Sequence, residues 1–394
     1  MELKPLILKK NEERRLRAGH LWVYSNEVDT AETPLTGFTP GELVEVRERG
    51  GRPVGTGYVN PHSLICARLL SRDAAHPVSR SLILHRVNQA LALRERLSDA
   101  PFYRLVFGEA DLLPGLVVDR YGDHLVVQIT TAGMETLRDD ILDALDKVVA
   151  PLGILLRNDS SARELEGLPK SVEVARGTVP DEAELVEHGT RFRVPLAAGQ
   201  KTGWFYDQSD NRGRLLRYAA GARVLDVFSY VGAWGIQAAR FGASDVLCID
   251  ASERALQHAA ANAALNDVHI ETLQADAFDA LKALRAEGRD FDVVVVDPPA
   301  FIKRRKDHRA GLDAYRRLNQ AAMQLLGKDG ILISCSCSHH LGDHELLGMM
   351  NLAARHVDRN LQVIETGGQA WDHPIHPAIP ETRYLKAIFA RVFM

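Results

Sequence analysis

Two cysteines alternate with serines over Ser334-Cys335-Ser336-Cys337-Ser338, directly after the apolar run Ile331-Leu332-Ile333. On an extended strand, residues two apart share a side, so Cys335 and Cys337 point together and the serines point away. Cys337 is nearer the strand's C-terminal end, and open α/β sheets bind ligands outside that end. Carbon 5 of a pyrimidine is a poor nucleophile. A thiolate that adds to carbon 6 makes carbon 5 enamine-like and able to attack an electrophilic methyl group. Methylation of an amino group needs no such thiol. The competing reading is that both cysteines are buried apolar packing residues. Cys335 and Cys337 with His339, His340 and His344 lack a familiar metal-ligand spacing, so no metal is expected.

A second apolar run, Val293-Val294-Val295-Val296, opens into Asp297-Pro298-Pro299-Ala300-Phe301. Paired prolines stiffen the backbone and leave carbonyls without competing local donors. Asp297 and those carbonyls can hydrogen-bond the edge of a base, and Phe301 can stack on it. Pro298, Pro299 and Phe301, with the following Lys303, Arg304 and Arg305, are the candidate substrate contacts, the basic run being suited to phosphate.

A third run, Val224-Leu225-Asp226-Val227, enters the turn Phe228-Ser229-Tyr230-Val231-Gly232. Gly232 and Gly235 let a ligand approach the backbone at the next helix N-terminus. The spacing is not Gly-x-Gly-x-x-Gly, which argues against a dinucleotide. Asp250, followed by Ala251, ends the next strand, where a carboxylate can accept from ribose hydroxyls. Asp276 could accept from an adenine amino group, with Ala277 and Phe278 against the ring. Each aspartate taken alone could be a helix cap, but three at successive strand ends favour a bound nucleoside. Upstream, Lys201, Asp207, Gln208 and Arg212 suggest a flap for the cofactor's amino-acid end. The candidate cofactor contacts are thus Asp226, Phe228, Tyr230, Gly232, Asp250, Ala251, Asp276, Ala277, Asp297, Lys201 and Gln208.

The elements that position these residues alternate strand and helix from Gly213 onward. Strands are expected at Val224–Val227, Asp245–Ile249, Ile270–Leu273, Val293–Val296 and Ile331–Ser334, with Leu361–Ile364 and Ala387–Arg391 closing the chain. Helices are expected at Ala233–Arg240, Glu253–Ala264, Phe278–Ala286 and Tyr315–Leu326. Such alternation means a parallel sheet covered on both faces.

With 394 residues, two or three domains are expected. Residues 1 to 75 read as short strands and Gly-rich turns of a small β-barrel, with a charged helix near Asn11–Ala18 and a linker at Asp73–Pro77. Residues 76–190 read as an α+β module with helices at Ser79–Leu97 and Met134–Val149. Residues 191–394 hold the alternating pattern.

A content of 46% hydrophobic and 25% charged residues is that of a soluble globular protein. No run reaches membrane-spanning length, and the N-terminus lacks a secretory h-region, so a cytoplasmic location away from membranes is expected. Four cysteines are too few for a disulfide framework, and Cys66 and Cys248 read as buried small hydrophobes. The net charge of −4 requires any nucleic-acid role to rest on local patches: Lys9, Lys10, Arg14, Arg15 and Arg17, and Lys303–Lys306.

The chain resembles the bacterial large-subunit ribosomal RNA cytosine-5 methyltransferases over nearly its whole length. Gly19-His20-Leu21-Trp22-Val23-Tyr24 is similar to the opening of that family's PUA domain, with Leu21 where proline is frequent. The segment Gly108-Glu109-Ala110-Asp111-Leu112-Leu113-Pro114-Gly115-Leu116-Val117-Val118-Asp119-Arg120-Tyr121 is similar to its central domain, and Gly199–Gly203 through Asn211-Arg212 to its cofactor-domain entry. Asp297–Phe301 and Ser336-Cys337-Ser338 are similar to its substrate loop and nucleophile strand.

The resemblance implies S-adenosylmethionine as cofactor, Cys337 as nucleophile and Asp297 assisting at the base. It implies a Rossmann-like class I methyltransferase domain with a mixed seven-stranded sheet, preceded by a PUA-like β-barrel and a small α+β domain. The implied partner is large-subunit ribosomal RNA, single-stranded or locally opened, and a homodimer is compatible with it. Some relatives carry a second cysteine in the Asp-Pro-Pro loop, and this chain has none. The rival readings are methylation of a base nitrogen, since Asp-Pro-Pro-x-Phe also resembles amino-methyltransferase loops, and an idle RNA-binding or ribosome-assembly protein.

Overall fold

A computed structural model describes residues 3–73, 76–200 and 202–394. Ala74 and Ala75 of the expected linker, and Lys201, lie outside the described residues. The chain forms two compact units: residues 1–183, 195–204 and 372–382, and residues 184–194, 205–371 and 383–394.

The first unit carries two five-stranded sheets. One follows the order Lys4–Ile7, Glu42–Arg47, Pro53–Val59, Ile65–Ser71, Trp22–Tyr24, with the first pair parallel and the rest antiparallel. Its inward residues, among them Leu6, Val23, Val44, Val46 and Cys66, make one apolar core. The other follows the order Ser171–Gly177, Gly153–Asn158, His124–Ile129, Leu116–Tyr121, Phe102–Phe107. Its single parallel pairing, His124–Ile129 with Gly153–Asn158, needs a crossover, supplied by helices Ala132–Thr136 and Arg138–Val149. A single helix was expected there; Leu137 instead divides it in two. The acids of Gly108–Tyr121 hold this unit together. Asp111 accepts from buried Arg94 at 2.6 and 2.8 Å, Asp119 from Arg104 at 2.7 and 2.8 Å, and Glu109 from the Trp22 indole at 2.9 Å.

The second unit is built on a seven-stranded sheet, whose strands we number β1 (Arg223–Val227), β2 (Asp245–Asp250), β3 (Glu271–Gln274), β4 (Phe291–Val296), β5 (Leu326–Ser336), β6 (Asn360–Gly367) and β7 (Lys386–Phe393). Their order is β3-β2-β1-β4-β5-β7-β6. The β1–β5 pairings are parallel, and β7 inserts antiparallel between β5 and β6. This is the expected mixed sheet. Helices α1 (Ala233–Arg240), α2 (Glu253–Leu265), α3 (Ala277–Ala286), α4 (His308–Met323) and α5 (Asp343–His356) link the strands. Leu225, Val227, Val294, Val296, Leu332 and Ile388 face the buried residues of α3, α4 and α5 in one continuous core.

Three elements of this unit differ from expectation, the first being α4, which runs His308–Met323 rather than Tyr315–Leu326. Strand β5 begins at Leu326 rather than Ile331, because Asp329 and Gly330 pair with Phe393 and Val392 on β7, and that pairing overrides the turn preference of Gly-Lys-Asp-Gly. Helix α5 was not expected, although Leu346, Met349, Met350 and Ala353 recur at helical spacing and are buried.

Candidate functional site

The C-terminal ends of β1, β2, β4 and β5 bring most of the candidate residues to one edge of the sheet. After β1 the chain turns sharply. Phe228 and Tyr230 have φ of 67° and 50°, a left-handed conformation that costs a bulky residue roughly 1–3 kcal/mol and clusters at functional loops. The amides of Phe228 and Ser229 both donate to the Ile249 carbonyl, at 2.9 and 3.0 Å. Asp250 secures the same turn from β2: its two oxygens accept from the Tyr230 and Ser252 amides at 2.9 and 2.8 Å. A carboxylate has about four acceptor sites, so Asp250 keeps capacity for hydroxyls. Ala251 beside it is exposed.

Asp226 is fully buried under this turn. One of its oxygens accepts from the Gly235 amide at 2.9 Å, and the other has no hydrogen-bond partner. Burial, with Asp297 and Asp250 nearby, pushes its pKa up to about 7. Gly235 is required: a Cβ there would sit 2.4 Å from the Cys248 sulfur. Gly232 has φ of 82° and caps α1.

Asp297 leaves β4 with both oxygens engaged, accepting from the Gln208 amide at 3.0 Å and the Trp234 indole at 3.2 Å. Desolvation, with Asp207 nearby, raises its pKa to about 6. Gln208 is held in turn, accepting from Asn211 at 2.7 Å, and the Tyr384 hydroxyl donates to Asp207. Gln208 therefore orients Asp297. Arg212 does not point outward as a flap residue would: it is buried, with a two-point bond to Glu187 at 2.6 and 2.7 Å and a bond to the Phe205 carbonyl. A region crowded with Asp226, Asp250 and Asp297 suits a cationic ligand.

Asp276 and Ala277 lie after β3. Asp276 is exposed and caps α3, accepting from the Phe278 and Asp279 amides at 2.9 and 3.3 Å. The Arg317 guanidinium covers the Phe278 ring, 5.2 Å from its centroid.

The two cysteines on β5 differ. Cys335 is fully buried and desolvation pushes its thiol well above the usual range, whereas Cys337 is partly exposed. A hydroxyl cluster pins the strand end. Ser336 donates to the Tyr315 hydroxyl at 2.8 Å, that hydroxyl bonds Ser338 at 2.9 Å, and the Ser338 oxygen accepts from the Ile302 amide at 3.2 Å. The strand end, α4 and the segment after Asp-Pro-Pro are thus tied at one point.

Pro298 is buried and Pro299 exposed. Phe301 is partly buried against Tyr315, with ring centroids 4.8 Å apart. Lys303, Arg304 and Arg305 are exposed, Arg304 pairing with Asp307 at 3.1 Å.

Sequence reasoning missed Trp234, Tyr315 and Lys386. Trp234 follows Gly232-Ala233 at the start of α1, a place from which a side chain reaches the sheet edge. Tyr315 and Lys386 carried no local signal, since their contacts come from strands and helices distant in sequence.

Residues 6–72 match the PUA-like domain family, and residues 167–390 match the S-adenosylmethionine-dependent methyltransferase family. The chain is 35% identical over 394 residues to Ribosomal RNA large subunit methyltransferase I of Aliivibrio fischeri, covering 98% of this chain and 99% of the relative. It is 36% identical over 395 residues to the protein of that name from Shewanella denitrificans, covering 98% of each. A crystal structure described as a methyltransferase complexed with SAH superposes with a TM-score of 0.85 at 20% identity, covering 99% of this chain and 100% of that one.

Proposed function

Because the chain belongs to the ribosomal RNA large subunit methyltransferase I family, whose members depend on S-adenosylmethionine, we propose that it methylates carbon 5 of a cytidine in large-subunit ribosomal RNA through a thiolate adduct at Cys337. The observation that carries this reading is a partly exposed cysteine at the end of β5, tied through Ser338 and Ile302 to the loop that follows Asp-Pro-Pro. Nitrogen methylation would leave that thiol without a task.

The cofactor fits the sheet edge. The strained Phe228–Gly232 turn and the Asp250 carboxylate, for ribose hydroxyls, lie at that edge, with the unpartnered oxygen of Asp226 buried beneath the turn. Bound there, S-adenosylmethionine supplies an electrophilic methyl group. Asp297, fixed by Gln208 and Trp234, faces the base edge, and Pro298, Pro299 and Phe301 form the platform for it. The Cys337 thiolate adds to carbon 6 and makes carbon 5 nucleophilic. Once carbon 5 has taken up the methyl group, loss of its proton and expulsion of the thiolate restore the ring. The Asp-Pro-Pro loop holds no second cysteine, so another base takes that proton. Attack at carbon 6 needs an accessible face, so the substrate is single-stranded or locally opened RNA. Residues 1–75 serve as its RNA-binding part.

With 5-fluorocytidine RNA and cofactor, the wild type is expected to form a covalent adduct that Cys337→Ala cannot form. Cys337→Ala should lose turnover while still binding RNA and cofactor, and Cys335→Ala should keep most activity. Methylation by Cys337→Ala near the wild-type rate would overturn the thiol mechanism in favour of nitrogen methylation. No methylated nucleoside from the wild type would favour the idle RNA-binding reading.

A further inference from the structure

The first residue of β7, Lys386, pairs in register with Ser336 of β5 and is 6% exposed. Its ammonium donates to the Ser338 carbonyl at 2.7 Å and to the Tyr384 carbonyl at 3.0 Å. An ammonium has three donors, so one remains. No carboxylate among the described residues lies within ion-pairing distance of it. The nearby acids of α5 are already paired, Asp343 with Arg383 at 2.7 Å and Glu345 with His308 at 3.0 Å. Leaving a buried ammonium without a counter-charge is costly. The carbonyl it grips belongs to the residue after Cys337, so the charge is held one residue along the backbone from the one that carries the thiol.

Resting on the nucleophile reading above, we infer that Lys386 is the charge partner of Cys337: when the sulfur gives up its proton, the Lys386 ammonium stabilises the thiolate left at the end of β5. The sulfur's proton passes to solvent, and Lys386 stays an ammonium throughout. Lys386 does not touch substrate. It is a positioning residue that acts through the thiol.

Its surroundings agree. Burial lowers the lysine's pKa, while Asp343, Cys337 and Glu345 act to raise it and Arg383 to lower it. Tyr315 from α4 and Lys386 from β7 feel the charge of the Cys337 sulfur, and His339 and His340 follow it in the chain, their rings 5.1 Å apart.

The test is alkylation of Cys337 by iodoacetamide from pH 5 to 10, followed by peptide mass spectrometry. Cys66, Cys248 and Cys335 are buried and should not interfere. In Lys386→Met the inflection should move up by at least about one unit, cutting reactivity at neutral pH roughly tenfold, with an unchanged plateau at high pH. Lys386→Arg should restore the low inflection. A merely structural lysine would change the plateau and not the inflection. A Lys386→Met profile that overlays the wild type, while the wild type still forms the 5-fluorocytidine adduct, overturns this inference alone. A shifted profile with no adduct in the wild type keeps the pairing and overturns the nucleophile reading.

Discussion

Asp226 and Asp297 are carboxyls that the fold holds at pKa values of about 7 and about 6, against roughly 4 for an unfolded carboxyl. Desolvation is the leading cause in both. Between pH 4 and 7 the native state therefore binds more protons than the unfolded chain. The stability these groups contribute is complete below about pH 4 and is lost as pH rises through 6 and 7. Asp226→Asn keeps an acceptor for the Gly235 amide and removes the charge. Urea unfolding of the cofactor-free protein should show wild type losing on the order of 1–3 kcal/mol more than Asp226→Asn between pH 5 and pH 8. Equal losses would mean that the Asp226 carboxyl is not strained by burial. The same acids give a second outcome. A sulfonium bound beside them lowers their pKa, so cofactor binding near pH 6.5 should release protons. Calorimetry in two buffers of different ionisation enthalpy reads the sign, and proton uptake would place the cofactor away from these groups.

At the scale of elements, the approach of α1 to β2 depends on the missing side chain of Gly235. An alanine Cβ there would lie 2.4 Å from the Cys248 sulfur and 3.1 Å from a Val246 methyl. Gly235→Ala should cost about 1–3 kcal/mol by overpacking and weaken cofactor binding, because α1 carries the turn and the Trp234 bond to Asp297. Gly348→Ala on α5 is the contrasting case. Its site is exposed, its Cβ meets nothing within 4 Å, and alanine should stabilise the helix by about 0.5–1 kcal/mol. Thermal unfolding of both variants checks the pair of signs. The strand ends that carry Asp226, Asp250, Asp297 and Cys337 were legible in the sequence, because apolar runs stopping at polar residues mark where a parallel sheet presents its edge. What joins those ends was not. The Tyr315 hydroxyl reaches Ser336 and Ser338 from 21 and 23 residues away. Lys386 meets Ser338 across 48 residues through an antiparallel register that periodicity does not encode. Arg212 read as a ligand group for the opposite reason: its partner Glu187 lies 25 residues upstream, so its charge looked free.

At the scale of the whole molecule, the parallel strands of the second unit followed from alternation of helix and strand, while their spatial order and the path of the chain between units did not. Residues 372–382 return to the first unit, where the Asp372 carbonyl accepts from Arg94 at 2.7 Å, a contact 278 residues apart. Charge is distributed just as unevenly. With a net charge of −4, affinity for a polyanion must come from a few exposed cations. In the N-terminal patch Arg15 serves structure, bonding Glu27 at 2.7 and 2.8 Å, and Arg17 pairs with Glu48 at 2.9 Å. Lys10 and Arg14 remain exposed there, as do Lys303 and Arg305 after the Asp-Pro-Pro loop. Each phosphate contact to single-stranded RNA contributes about 0.7 to the slope of log affinity against log salt. Neutralising Lys10 and Arg14 to glutamine should lower that slope by up to about 1.4, and neutralising Lys303 and Arg305 should do the same. Cofactor affinity should stay unchanged in both. Arg15→Gln should instead lower stability, since the buried Glu27 would lose its charge partner. Titrations of a short single-stranded RNA at four salt concentrations read all three variants. A slope that moves only with the second pair would leave the N-terminal patch a solvated face and confine RNA recognition to the unit that holds Cys337.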